Sequence, residues 1–234
     1  MSTESLDRQV RLPVLAQAPV RELVLTVADR RSGSYLRLGK PMFDRTVAGL
    51  ALLILLPLLL VTVVVVALEF GRPVVFRQQR MGLGNRAFTI YKFRTMGHDR
   101  RGIGTADMPP PSLDDRRLTH KSPHDPRHTT VGRLLRKFSL DELPQLYNVL
   151  RGDMSLVGPR PELVAVVSRY DSWQLRRHDV KPGLTGLWQI SARGDKPMHE
   201  LTHIDLAYVD RVSLRTDLSI LLRTPLALLR RSGA

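Results

Sequence analysis

From Val47 to Leu68 the chain runs 22 residues without a charged side chain, enough at about 1.5 Å per helical residue to cover a hydrocarbon core of about 30 Å. The segment begins too late and runs too long for a signal peptide, and no small-residue cleavage site follows it. It is expected to stay in the mature protein. Pro57, near its middle, removes a backbone donor and bends a helix where a return is needed. Arg37, Lys40 and Arg45 precede the segment, and Arg72, Arg77, Arg80, Arg86, Lys92 and Arg94 follow it. With both flanks basic, the positive-inside rule keeps both on the cytoplasmic side. The segment is therefore expected to enter the bilayer and return rather than cross it, although proline is also tolerated in spanning helices.

The flanking chain reads as one catalytic-sized body. Residues 1–38 mix charges, prolines and short apolar runs and form a loosely ordered arm with one short helix near Val20–Val27. Residues 39–72 hold the membrane helix, and 73–234 form the remaining domain. There, Val74 to Arg80 and Arg86 to Thr95 are β-like runs joined by Gly82-Leu83-Gly84-Asn85, a hairpin turn. Residues 97–126, rich in Pro, Gly, Asp, Arg and His, form a long loop. Helical spacing returns from Val131, again over Leu143 to Leu150 with Gly152 as a stop, and in a helix opening at Pro161 and Glu162 that buries Leu163, Val166, Val167 and Tyr170. Asp217 to Arg231 sets leucines against Arg223, Arg230 and Arg231, a basic amphipathic helix suited to a membrane surface. The expected fold class is mainly α with a small β-hairpin, an α+β monotopic membrane protein with one re-entrant, proline-bent helix and amphipathic interfacial helices. The net charge of +14 calls for anionic partners. The absence of cysteine excludes disulfides and thiolate metal sites.

The chemistry concentrates between Arg136 and Pro161. Ser139 with Glu142 three residues on has the form of a capping box. With Ser139 as N-cap, however, Pro144 falls at the fifth helical position, where a donor is needed. With Asp141 as N-cap, Pro144 falls at the third position and its missing N–H costs little. Asp141 and Glu142 then project from a helix N-terminus, a place that favours bound phosphate and keeps a carboxylate ionised as a nucleophile. Arg136 before the acids and Arg160 beyond Gly158-Pro159 supply positive charge on either side. Acids, cations and a helix terminus together point to phosphoryl transfer.

This segment, Arg136-Lys137-Phe138-Ser139-Leu140-Asp141-Glu142-Leu143-Pro144 through Gly158-Pro159-Arg160-Pro161, resembles the core signature of the bacterial sugar transferases, the monotopic polyprenyl phosphate phosphoglycosyl transferases. The likeness extends to Val75-Phe76-Arg77-Gln78 with Arg80 and Gly82, to Tyr91-Lys92-Phe93-Arg94-Thr95-Met96, to Lys181-Pro182-Gly183-Leu184-Thr185-Gly186 and to the Asp205 to Leu222 tail. It covers roughly residues 40–230. The resemblance implies that Asp141 attacks the sugar-bearing phosphorus of a UDP-sugar, releasing UMP, and that undecaprenyl phosphate then takes the phosphosugar from the aspartate. It implies magnesium coordinated by Asp141, with Glu142 as general base or outer ligand. Arg136 and Arg160 fall at positions that contact substrate phosphates, and Lys92 and Arg94 in a motif near the active site. It further implies residence in the bacterial inner membrane among its lipids, with the catalytic domain on the cytoplasmic face, and a bend at Pro57. Family members often carry serine before that proline; this chain has Leu56, so its bend rests on Pro57 and tertiary support. The resemblance is to the minimal catalytic unit, so the amino-terminal bundle of spanning helices of larger members is not expected.

Two rival readings are weaker. His199-Glu200-Leu201-Thr202-His203 matches the H-E-x-x-H zinc pattern, but residues 204–234 contain neither histidine nor glutamate to supply a third ligand. His98, His120, His124 and His128 scatter in the basic loop. A membrane-tethered module binding anionic lipid or nucleic acid would use the charge, yet it leaves the Asp141-Glu142 setting unexplained. No nucleic-acid partner is expected, because aromatic interleaving, a helix-turn-helix pattern and a zinc framework are all missing. Trp173 and Trp188 are expected as core or interface anchors. The sugar, the pathway and the oligomeric state, a homo-oligomer included, stay open.

Overall fold

The uncharged segment folds as two helices rather than one. In the computed structural model, which describes residues 34–97, 129–191 and 200–229, α1 (Lys40–Ile54) follows a π-helical turn at Tyr35–Gly39, and α2 (Leu56–Phe70) follows α1 after Leu55 alone. The pair is bent by 65°. The cause is local: in an unbroken helix the N–H of residue 57 would bond the Leu53 carbonyl, and Pro57 has none. The Leu55 N–H donates instead to the Ala51 and Leu53 carbonyls. Pro57 becomes an early residue of α2, where the missing donor is harmless, and the Leu59 N–H resumes the ladder on the Leu55 carbonyl at 2.8 Å. The expected bend is present. Among the described residues no single helix is long and apolar enough to cross a membrane, while this bent pair meets that test jointly. Leu53, Ile54, Leu60, Val61, Val64 and Leu68 are exposed, Leu68 to 82%, an apolar surface larger than scattered leucines produce.

β1 (Val75–Met81) and β2 (Ala87–Phe93) form the expected antiparallel hairpin, in register from Val75 opposite Phe93 to Met81 opposite Ala87. Its turn needs two consecutive left-handed residues, Gly84 at φ 62° and Asn85 at φ 59°, the residue types that enter that region at least cost. α3 (Thr130–Lys137) is capped by the Thr129 hydroxyl, which accepts the Gly132 N–H at 3.0 Å. Leu135 on α3, Phe93 on β2 and Val66 on α2 share a small core. A larger one gathers Ile90, Leu146, Val149, Met154, Val157 and Ile220, joining β2 to α4 (Gln145–Arg151), β3 (Ser155–Val157) and α9 (Leu214–Leu229).

Between β3 and α9 lie α5 (Val164–Val167), α6 (Ser172–Leu175), β4 (Gly183–Thr185), α7 (Leu187–Ser191) and α8 (Thr202–Val209). β3 and β4 pair in parallel, a second two-stranded sheet that was not expected, since three-residue strands are too short to show an alternation. Beside it the chain crosses itself: a Cβ on Gly183 would stand 2.0 Å from the Gly158 nitrogen. Only glycine fits there, and the crossing fixes where Pro159 and Arg160 depart. The helix expected to open at Pro161 and Glu162 does not. The Met81 N–H donates to the Glu162 carbonyl at 2.9 Å and Arg80 bridges Leu163, so this stretch is extended along the hairpin edge and α5 begins at Val164. Val166 and Val167 are buried as expected, while Tyr170 lies past the helix end. The molecule is thus mostly helical with small sheets, in agreement with the α+β expectation. The arm to residue 33, its expected short helix and residues 98–128 lie outside the described residues.

Candidate active site

Neither N-cap assignment for the acidic segment holds. Ser139 is left-handed at φ 55° and its side chain makes no capping bond. Leu140–Glu142 is a separate 3-10 turn, and Pro144 itself is the N-cap of α4. A helix that starts at Gln145 leaves the missing proline donor outside its ladder. The acids therefore sit on a turn ahead of α4, closed by the Glu142 N–H on the Ser139 carbonyl at 3.1 Å and the Leu143 N–H on the Leu140 carbonyl at 3.2 Å.

Both acids are buried, but they are treated differently. Lys92, from β2, and Arg160, from the segment after the glycine crossing, converge on one oxygen, Oε1 of Glu142, at 3.0 and 2.8 Å. Asp141 makes no hydrogen bond or ion pair among the described residues. Burial, with the adjacent Glu142 charge, pushes its carboxyl up to about 6, against the downward pull of Lys92, Arg160 and Arg136. Burial lowers the Lys92 ammonium while Glu142 opposes that shift, and Glu142 raises Arg160. Lys92, Arg160, Asp141 and Glu142 thus come together, with Arg136 at the end of α3 acting on Asp141 through its field. Arg94 touches neither acid. Its Nε donates to the Met96 carbonyl at 3.2 Å, and its Nη1 is buried with no partner among the described residues.

Three supporting residues escaped the sequence reading. Asn148 on α4 extends the edge of β2, its Oδ1 accepting the Tyr91 N–H at 3.1 Å and its Nδ2 donating to the Thr89 carbonyl at 2.7 Å. That bond pair locks the strand carrying Lys92 to the helix behind the acids. Arg177, fully buried, donates to Asp205 at 2.5 Å, to the Tyr170 hydroxyl at 2.7 Å and to the Arg160 carbonyl at 2.9 Å. It therefore holds the backbone from which the Arg160 side chain reaches Glu142. Burial pushes Asp205 up to about 6 against the pull of Arg177. No local spacing announces such pairs, since Arg177 and Asp205 are 28 residues apart.

Beside Glu142 opens a cavity of about 520 Å³ whose wall includes Leu143, Leu184, Thr185, Gln189, Leu221 and Pro225. The zinc pattern assembles nothing among the described residues, where no group of three or more His, Cys, Asp or Glu converges. Glu200 and His203 are exposed, and His199 lies outside the described residues, as do His98, His120, His124 and His128. Trp188 is buried against Leu201 and Ile204, while Trp173 is 49% exposed.

The structure thus brings together a buried acid pair framed by lysine and arginine, close to a bent apolar helix pair. The family model for bacterial sugar transferases matches residues 35–231, and the chain belongs to that family. It is 44% identical over 185 residues to the uncharacterized sugar transferase EpsL of Bacillus subtilis (strain 168), covering 79% of this chain and 84% of that one. It is 39% identical over 207 residues to the undecaprenyl-phosphate galactose phosphotransferase of Salmonella typhimurium, covering 88% of this chain and 43% of the relative. It is 37% identical over 229 residues to the UDP-glucose:undecaprenyl-phosphate glucose-1-phosphate transferase of Xanthomonas campestris pv. campestris, covering 94% of this chain and 44% of the relative. The chain thus spans most of EpsL but less than half of the two longer proteins.

Proposed function

We propose that this protein transfers a sugar 1-phosphate from a UDP-sugar to undecaprenyl phosphate, giving a polyprenyl diphosphate sugar and UMP, as an early membrane step in polysaccharide or glycoconjugate synthesis. The observation that carries the reading is the inequality of the two acids: Glu142 is tied to Lys92 and Arg160, while Asp141, equally buried, has no bonded partner among the described residues. A carboxylate without hydrogen bonds is a better nucleophile than one whose oxygen already accepts them from two cations. Asp141 attacks the sugar-bearing phosphorus, the P–O bond to the uridine monophosphate breaks, and UMP leaves with the electron pair. A phosphate oxygen of the lipid then attacks the same phosphorus and frees the carboxylate. Lys92 and Arg160, positioned by Glu142, neutralise charge on the phosphoryl oxygens, with Arg136 adding to the field. Arg94, with one guanidinium nitrogen unspent, stands as a further phosphate contact.

A magnesium ion fits this donor set. Two adjacent buried carboxylates carry a repulsion that a divalent cation relieves, and magnesium binds through one or two carboxylates plus substrate phosphates. Asp141, with Glu142 beside it, would hold the ion, which would offset the negative charge of the diphosphate. The bent α1 and α2 pair, whose exposed leucines and valines need an apolar covering, rests in the cytoplasmic leaflet of the inner membrane, with α9 at the interface.

UMP release from a panel of UDP-sugars, by purified protein in nanodiscs with magnesium and undecaprenyl phosphate, tests the reading. Native protein is expected to release UMP with one donor, and Asp141→Asn to be slower by about 10³-fold or more. Folded native protein that releases no UMP from any donor would return the chain to the lipid-binding reading.

A further inference from the structure

The cavity beside Glu142 contains a polar group that the transfer chemistry leaves unused. Gln189, on α7, is 7% exposed, and neither its Oε1 nor its Nε2 has a hydrogen-bond partner among the described residues. Buried amides are normally satisfied, because an unmade hydrogen bond keeps the full desolvation penalty. The hydroxyls around it are already committed. Thr224 donates to the Ile220 carbonyl at 2.8 Å and so accepts from Thr185 at 2.9 Å, and Ser191 donates to the Leu187 carbonyl at 2.7 Å. The wall opposite is apolar, with Leu143, Leu184, Ile190, Leu221 and Pro225. A Cβ on Gly186 would stand 2.1 Å from the Gly158 carbonyl oxygen and 2.8 Å from Oε1, so the bare glycine lets the chain crossing and the amide pack close together.

A ligand for this cavity must present one donor and one acceptor side by side and be otherwise content among leucines. An isoprenoid tail offers neither and would leave the amide unsatisfied. A pyranose carries hydroxyls all round its ring, and those facing the leucine, isoleucine and proline side chains of the wall would stay unpaired at a cost. A pyrimidine imide edge offers an N–H flanked by carbonyl oxygens, the complement of a primary amide, on a flat ring that apolar side chains can cover. At about 520 Å³ the cavity lies in the range of small-ligand sites. Glu142 in its wall joins it to the acid pair where the diphosphate reacts.

We propose, resting on the transferase reading above, that this cavity seats the uracil base of the donor, with Gln189 Nε2 donating to a ring carbonyl and Oε1 accepting from the ring N3–H. Gln189 is then a specificity-determining residue for the nucleotide.

Inhibition of sugar-phosphate transfer by UMP and by N3-methyl-UMP, using the full chain in nanodiscs, tests the assignment. Native protein is expected to bind N3-methyl-UMP about tenfold more weakly than UMP, because the methyl group removes the N3–H. In Gln189→Leu the two nucleotides become equal inhibitors and KM for the UDP-sugar rises about tenfold, with kcat little changed. Gln189→Glu keeps the shape and polarity if the leucine variant fails to fold. It retains an acceptor for N3–H but repels the ring carbonyl, and is expected to weaken UMP by a similar factor. A Gln189→Leu variant that preserves the native ratio of the two inhibitors, or a Gln189→Glu variant that binds UMP as tightly as native protein, overturns the proposal. A rise confined to KM for undecaprenyl phosphate overturns it in favour of a lipid groove. Altered preference among UDP-sugars with unchanged UMP inhibition overturns it in favour of a sugar subsite. Native protein that transfers nothing brings down the transferase reading itself, an outcome distinct from an active enzyme indifferent to Gln189.

Discussion

At the foot of α1, Asp217 is wholly buried and receives Lys40 Nζ at 2.5 Å, the Tyr35 hydroxyl at 2.6 Å and the Tyr208 hydroxyl at 2.7 Å. Nearby, Asp44 accepts the Leu156 N–H at 3.2 Å. At the acid pair, Glu142 is closed in the same manner by Lys92 and Arg160, but Asp141 is buried without a bonded partner among the described residues and its carboxyl is pushed up to about 6. The first cluster pins α1 to α8, α9 and β3, and leaves no oxygen of Asp217 open. The second spends its cations on one acid and gives the other no bonded partner among the described residues. A buried charge with a full set of partners reads as structure, and one held short of partners reads as chemistry.

The contrast can be broken from the structural side first. Asp217→Asn leaves the Lys40 ammonium buried beside Asp44 at 3.9 Å alone, and unpairing a buried ion of this kind costs about 3–5 kcal/mol. Chemical denaturation should show that loss, while transfer per folded molecule stays near native. An unchanged midpoint would mean that this cluster does not hold α1 in place.

The opposite sign is expected at the acid pair. The folded Asp141 carboxyl lies at about 6 against an ordinary value of 3.8, so its charged form disfavours the fold above pH 6, and that penalty fades as pH falls toward the ordinary value. Asp141→Asn should therefore be more stable than native protein at pH 8, by about 1–3 kcal/mol. The advantage should vanish below about pH 4, as thermal melts at the two pH values would show. A variant less stable at pH 8 would place Asp141 among the structural charges.

The smallest effect is on pH dependence. In the proposed mechanism only the ionised Asp141 attacks, so kcat/KM should decline on an acid limb centred near 6. Lys92 lowers the Asp141 carboxyl, so Lys92→Met should move that limb to higher pH as well as slowing transfer. A limb that stays put would remove Lys92 from the field at Asp141.

How far the chain could be read without coordinates follows the same division between local and distant causes. The bent helix pair was legible because its length, lack of charge and Pro57 are all local, and the hairpin because Gly84 and Asn85 sit where the turn needs left-handed backbone. The Pro144 argument identified the right tension and the wrong resolution, since the chain inserts a separate turn rather than moving the cap to Asp141. The extended run before Val164 was missed because its partner, β1, lies about 80 residues earlier. The sealing of Asp217 by Lys40 and the grip of Arg177 on Arg160 and Asp205 likewise depend on chain segments that meet only in the fold. Of the candidate site residues, Lys92, Arg160 and both acids converge, Arg136 acts at longer range, and Arg94 turns to its own loop. Gln189 carried no signal in sequence, because a glutamine becomes notable only when burial leaves it unpaired.

The central claim is that Asp141, and not Glu142, carries the sugar phosphate between donor and lipid. Protein incubated with its UDP-sugar in the absence of undecaprenyl phosphate, quenched in acid and mapped by peptide mass spectrometry, is expected to show one added sugar-phosphate mass on Asp141, and none in Asp141→Asn. UMP formed only when the lipid is present, with no adduct at any time, or an adduct on Glu142, would contradict it.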